Sequence, residues 1–161
     1  MSAALAWTPP RSAMSLNFDQ LLDGLVAGTG LSDLDAATAA AFLEAPGRGI
    51  VMLSDEPDRS PEAWDLAVIF PELLRATGIP ARGGLLRPGV VEAVQKRYGV
   101  RRLPALLFVR DAGYLGVIEG LRDWSEFVAE CTVLLQAAPG RPPGIGIPVR
   151  NGDAGCGEVA R

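Results

Sequence analysis

Few residues in this chain are equipped for chemistry. The 161-residue sequence has no histidine and only two cysteines, Cys131 and Cys156. Disulfide exchange needs a thiolate, usually with a second cysteine one helical turn away, at a helix N-terminus that lowers the thiol pKa. Neither cysteine has such a neighbour. Cys131 falls on an apolar helical stripe, where it reads as a small buried hydrophobe, and Cys156 falls in a Pro/Gly-rich stretch. The absence of histidine removes the commonest general base and the commonest metal ligand together. Soft-metal sites and histidine-activated nucleophiles are therefore not expected. A Ser–Lys pair would have to recruit Lys96, the lone lysine, from an amphipathic helix. The glycine clusters GTG (28–30) and GRG (47–49) match neither phosphate-binding pattern. What remains is acidic: Asp55, Glu56, Asp58, Glu62 and Asp65 crowd one segment. Their spacing fits no calcium loop. The run is either a solvated face or a surface whose field favours an arginine-bearing peptide.

The elements that must carry these residues can be read from periodicity. Ser15 is a candidate cap for a first helix bearing Leu16, Phe18, Leu21, Leu22 and Leu25, stopped by Gly28 and Gly30. A second helix is expected from Ser32–Asp35. GIVMLSD (49–55) reads as a buried strand, followed by a polar loop and a long helix that opens near Pro61 and contains Pro71, a proline expected to kink it. PARGGLL (80–86) is a weak strand and PGVVEAVQKRYG (88–99) a short amphipathic helix. LPALLFVRD (103–111) is apolar on both faces, as a central strand is, and AG (112–113) turns it into YLGVIEG (114–120). A last helix is expected with a capping box of Asp123 and Glu126 and a stripe of Trp124, Phe127, Val128, Cys131, Leu134 and Leu135.

This order divides the chain into a loose arm (1–14), a folded domain (15–137) and a disordered Pro/Gly-rich tail (138–161). A formal net charge of −4 argues against nucleic acid as the main partner. No apolar run approaches the ~18–20 residues that span a bilayer. No basic-then-apolar leader opens the sequence, so no membrane insertion is expected and the cytoplasm is the expected location.

The β-α-β-α-β-β-α portion is the thioredoxin-like α/β arrangement, a mixed central sheet flanked by helices with an extra N-terminal helix. In that fold the redox cysteines would stand at the start of the helix containing Pro71. The matching residues are Ala63, Trp64, Asp65 and Leu66, and none is a redox group. Leu103–Pro104 opens the central strand. In thioredoxin-like folds this bond is cis and lies beside the would-be active-site loop. Pro104 reads either as a conformational lock or as part of an edge that offers backbone hydrogen bonds to an extended peptide.

VMLSDEPDRSPE together with LPALLFVRDAGYLGVIEGLRDWSEF resembles the HyaE/HupG family of [NiFe]-hydrogenase expression proteins, thioredoxin-like members without the redox CxxC. The resemblance covers roughly residues 15–137 and rests on the acidic loop, the LPALLF strand, the Pro104-to-Gly120 spacing and the Gly120-to-Trp124 step. It implies a cytoplasmic, non-enzymatic accessory protein without cofactor or metal. Such a protein would be a chaperone for the [NiFe]-hydrogenase small-subunit precursor, which carries a twin-arginine signal peptide. The alternatives are a scaffold that bridges other hydrogenase accessory proteins, and a disulfide oxidoreductase, which lacks a nucleophile here. The expected partner-binding residues are Asp55, Glu56, Asp58, Glu62, Asp65, Arg102, Leu103 and Pro104. Pro71, Pro104, Gly120 and Trp124 are expected to be structural.

Overall fold

Helix α1 (Phe18–Thr29) begins at Asn17, whose side chain accepts from Gln20 N while the Gln20 side chain accepts from Asn17 N. That reciprocal capping box fixes the helix start. The expected cap at Ser15 lies outside the described residues, which in this computed structural model run from 17 to 143. The expected arm (1–14) and most of the expected tail also lie outside them. Ser32–Leu34, expected as the start of the second helix, is instead a short strand, β1. Helix α2 (Ala36–Glu44) starts after it, capped by Asp35, whose carboxylate accepts from Ala37 N and Thr38 N, both at 2.8 Å. Three residues carry too little pattern to read as a strand. β1 exists because β3 (Arg82–Leu86) presents a parallel edge to it, with Asp33 opposite Leu85.

The remaining elements are β2 (Arg48–Leu53), α3 (Glu62–Ala76), α4 (Glu92–Arg97), β4 (Ala105–Arg110), β5 (Gly113–Glu119) and α5 (Trp124–Gln136). They build one sheet in the order β1-β3-β2-β4-β5. β1, β3 and β2 run parallel; β4 is antiparallel to β2 and β5 to β4. Strand side chains alternate between two cores. Ile50, Met52, Leu106 and Phe108 face a core shared with α1, α3 and α5. Val51, Leu53, Leu107 and Val109 face a second core with α2 and α4. Covering both faces is what lets β4 be apolar throughout. Pro71 is buried inside α3.

Three local expectations need correction. The β4–β5 turn is Asp111–Ala112, one residue earlier than Ala112–Gly113, with φ of 49° and 67°. Positive φ at both central residues is what a tight hairpin with the native twist demands. Asp111 is held there because its carboxylate accepts from Gly47 N at 2.7 Å. At α5, Asp123 stands at the cap position without a side-chain capping bond, so no capping box forms. Trp124 is 47% exposed, off the buried stripe of Phe127, Cys131 and Leu135. Helical side chains lean toward the N-terminus, so at the first position Trp124 leans past the helix end.

The stretch expected as tail from residue 138 starts in register with the sheet. Gly140 and Tyr114 exchange two backbone hydrogen bonds, of 2.8 and 2.9 Å, as an antiparallel bridge on the outer side of β5. Residues 138–143 therefore lie against the sheet, and the rest of the expected tail, from 144 on, lies outside the described residues.

Candidate functional site

The acidic loop follows β2 at the carboxyl end of the parallel strands, where α/β folds place their ligands. It does not act as one surface. Its two ends are bound into the fold. Asp55 accepts from Glu56 N at 2.9 Å and from the Ser60 hydroxyl at 2.7 Å, and its side chain is only 15% exposed. Ser60 Oγ also lies 3.2 Å from the Leu103 carbonyl, so this one hydroxyl joins the acidic loop to the Leu103–Pro104 segment. That peptide bond is cis. Beside it, Arg102 pairs with Glu62 at 3.3 Å. Gly120 closes the cluster: its N–H donates to the Pro104 carbonyl at 2.8 Å, and its φ is +76°. A Cβ there would meet Glu62 Oε2 at 3.3 Å.

Asp55, Glu62, Arg102, Leu103 and Pro104 are thus brought together, largely as one another's partners. The Pro104 carbonyl, which an added strand would use, already accepts from Gly120 N, and the one proton of the Ser60 hydroxyl is shared between Asp55 and the Leu103 carbonyl. Pro104 itself is buried. Asp65 is exposed in the first turn of α3 and belongs to neither this cluster nor the groove described next.

The middle of the loop, 56–58, forms one wall of a groove of about 400 Å³, lined by Asn17, Phe18, Asp19, Glu56, Pro57, Asp58 and Trp64. Among the described residues, Asp19, Glu56 and Asp58 enter no ion pair. Trp64, on the first turns of α3, packs against Phe18 with ring centroids 5.8 Å apart. The two aromatics meet because α1 lies against α3. Of these lining residues, Glu56 and Asp58 are among the partner-binding residues expected from sequence. Asp19 and Phe18 are not among them, because their proximity to the loop is created by helix packing. Trp64 is noted from sequence only as a position without redox chemistry. The signal available was an aromatic residue in the first turns of a helix that directly follows an acidic loop.

No reactive thiol is found among the described residues. Cys131 is fully buried in the core beneath α5. Burial, reinforced by neighbouring Glu130, pushes its thiol up to about 12. At neutral pH it is a protonated, inaccessible thiol and a poor nucleophile. Ala63 and Leu66, where the redox pair would stand, are both buried. No group of three or more metal-ligating side chains occurs among the described residues. No helix among them is long and apolar enough to cross a membrane.

Sheet order, cis proline and the vacated helix start define a thioredoxin-fold domain that keeps the scaffold without its cysteine pair. The chain superposes on a thioredoxin variant from Halobacterium salinarum with a TM-score of 0.54 at 16% identity, over 67% of this chain and 93% of that one, a likeness of fold alone. A family model described as hydrogenase-1 expression protein HyaE matches residues 21–127, and the chain belongs to that family. It is 36% identical to the hydrogenase expression/formation protein HupG of Bradyrhizobium diazoefficiens, over 74% of this chain and 84% of the relative. It is 38% identical to the hydrogenase expression/formation protein HoxO of Cupriavidus necator, over 71% of this chain and 72% of the relative.

Proposed function

We propose that this protein is a non-redox accessory factor of [NiFe]-hydrogenase assembly. It binds the small-subunit precursor in the cytoplasm through the arginines of its twin-arginine signal peptide, before export. The observation that carries the reading is the groove in which Asp19, Glu56 and Asp58, free of ion pairs among the described residues, surround the Phe18–Trp64 aromatic pair. A guanidinium suits such a site better than an ammonium. It is planar, stacks on an aromatic face and donates in parallel to carboxylates, whereas lysine is a strongly hydrated point charge. Membership of a family of hydrogenase expression proteins supplies the cargo class. The arginine-binding half of the site is Glu56 and Asp58 with Asp19 and Trp64. Asp55, Glu62, Arg102, Leu103 and Pro104 support the loop from behind.

The test is fluorescence anisotropy of a labelled signal peptide against the full chain, with twin-Arg and twin-Lys versions compared across salt. At least tenfold tighter binding of the arginine version, weakening with salt, is the expected result. Equal binding of both peptides overturns the groove. Binding that survives deletion of the signal peptide from the precursor moves the site to the mature subunit. No binding to peptide or precursor leaves the role of a scaffold among other hydrogenase accessory proteins. The non-redox part is tested by insulin reduction. Wild-type activity that is abolished by Cys131→Ala combined with Cys156→Ala would sink it.

A further inference from the structure

Exposure singles out Trp124. Tryptophan is highly buried on average, yet this indole is 47% exposed at the first position of α5. It leans toward the helix N-terminus, over the turn that holds Gly120 and the half-buried Leu121. Among the described residues its ring meets no other aromatic and no cation. Beside it Asp123 is exposed, makes no capping bond and enters no ion pair among the described residues.

The start of α3 borders this surface. A Cβ at Gly120 would come within 3.3 Å of Glu62 Oε2, so Glu62 faces the side of α3 that looks toward Gly120 and α5. Asp65, one helical turn further on, shares that side, is exposed and has no ion pair among the described residues. Trp64, the residue before it, points to Phe18 and the acidic groove. The first turn of α3 is therefore a ridge with an aromatic ring and carboxylates on each flank. Trp64 with Glu56 and Asp58 forms one, and Trp124 with Asp65 and Asp123 forms the other. The arginines of the second flank are already engaged, Arg102 by Glu62 at 3.3 Å and Arg122 by Glu130 at 3.5 Å. Its remaining charge is negative, which complements a guanidinium.

We propose that this second flank seats the second arginine of the bound peptide, an inference that rests on the reading of the groove as an arginine site. In an extended peptide successive side chains point to opposite sides. Two adjacent arginines therefore do not enter one groove together. A pair lying across the first turn of α3 straddles the ridge, one guanidinium on Trp64 and the other on Trp124, each with carboxylates at its edge. Trp124 is then a specificity-determining residue, which makes the protein read two arginines where the groove alone reads one.

The test is a cycle of peptides against variants of the full chain, read by fluorescence anisotropy. Four signal peptides carry Arg-Arg, Arg-Lys, Lys-Arg or Lys-Lys at the twin position. Trp124→Ala should weaken the Arg-Arg peptide about fivefold, the size of one exposed cation–π contact. The same loss should appear with one mixed peptide and stay below about twofold with the other and with Lys-Lys. Glu56→Gln combined with Asp58→Asn should most weaken the mixed peptide that Trp124→Ala spares. Trp124→Phe keeps an aromatic face and should bind within about twofold of the wild type. Thermal melting should find Trp124→Ala as stable as the wild type, because the indole is largely exposed. Should that variant melt early, Asp65→Asn combined with Asp123→Asn repeats the comparison with the indole in place. Equal losses across the four peptides, or none, overturn the second seat and leave the groove standing. A wild type that does not distinguish Arg-Arg from Lys-Lys overturns the groove and the seat together.

Discussion

The ends and the middle of the acidic loop have similar composition and opposite circumstances. Asp55 and Glu62 face donors supplied by the fold itself: the Ser60 hydroxyl, a backbone N–H and the Arg102 guanidinium. Glu56 and Asp58 face a groove and, with Asp19, have no cation within ion-pair distance among the described residues. A carboxylate whose acceptors are filled from within acts as a structural tie, because replacing its partner leaves a partly buried oxygen without a donor. A carboxylate without a partner contributes little to stability and retains its field for a ligand. Acidic density in the sequence therefore marks the place, and the partners each residue finds mark the use.

The widest separation between the two should appear in a triple substitution of the groove, Asp19→Asn with Glu56→Gln and Asp58→Asn. Charge-assisted contacts of this kind contribute about 0.7–0.9 kcal/mol each when exposed, so affinity for the twin-arginine peptide should fall roughly 30- to 100-fold at low salt. The melting temperature should stay within about 2 °C of the wild type, because no internal partner is lost. Calorimetric titration and a thermal melt on the same sample read both. A triple variant that binds normally, or one that loses stability as it loses binding, would erase the distinction.

Gly120→Ala probes the tied ends. A non-glycine residue in the left-handed region costs about 1–2 kcal/mol, and here the new Cβ also approaches Glu62. Denaturant unfolding should register that loss, while peptide affinity changes less than about twofold, the groove being untouched. Ser60→Ala is a smaller step on the same side. It removes the donor to the Asp55 carboxylate and the link toward Leu103, at a cost of about 1 kcal/mol by the same measurement. A Ser60 variant that weakened binding more than it weakened the fold would show that the tie also aims the groove.

Sequence patterning carried the fold because its signals are local. The apolar run of β4 belongs to one strand and the Pro104-to-Gly120 spacing to one hairpin, and the family resemblance rests on the same stretches. The sequence could not show which edge needs an added strand, so β1 was read as helix and Gly140 as tail. The site was legible to the same degree. Glu56 and Asp58 announce themselves, but Asp19 and Phe18 join them only when α1 packs on α3, and Trp64 gains meaning only beside Phe18. Asp55 and Glu62 are expected beside them on composition alone, and the structure adds the donors they face. Composition counts charges and does not count the donors that neutralise them.

The last and smallest effect concerns a third carboxylate of the tied kind, Asp35, at the cap of α2. The N–H of Thr38, then the Thr38 hydroxyl and the N–H of Ala37, hold its carboxyl below its usual value of 3.8. A folded-state pKa depressed in this way stabilises the protein above the unfolded-state value, and the contribution is lost as pH falls through the folded value. The loss therefore belongs to the acid limb, below 3.8, and neutral stability is unaffected by small changes of pH. Asn at this position keeps an acceptor oxygen for the cap and has no proton to gain. Asp35→Asn should thus melt close to wild type near neutrality and show a shallower fall between about pH 4.5 and 2.5, read as Tm against pH. An identical acid limb in the variant would mean that the cap makes no difference to stability there. A variant weakened equally at all pH values would mean that the charge of Asp35 is not what the helix uses, and that Asn is the poorer cap by the geometry of its acceptor alone.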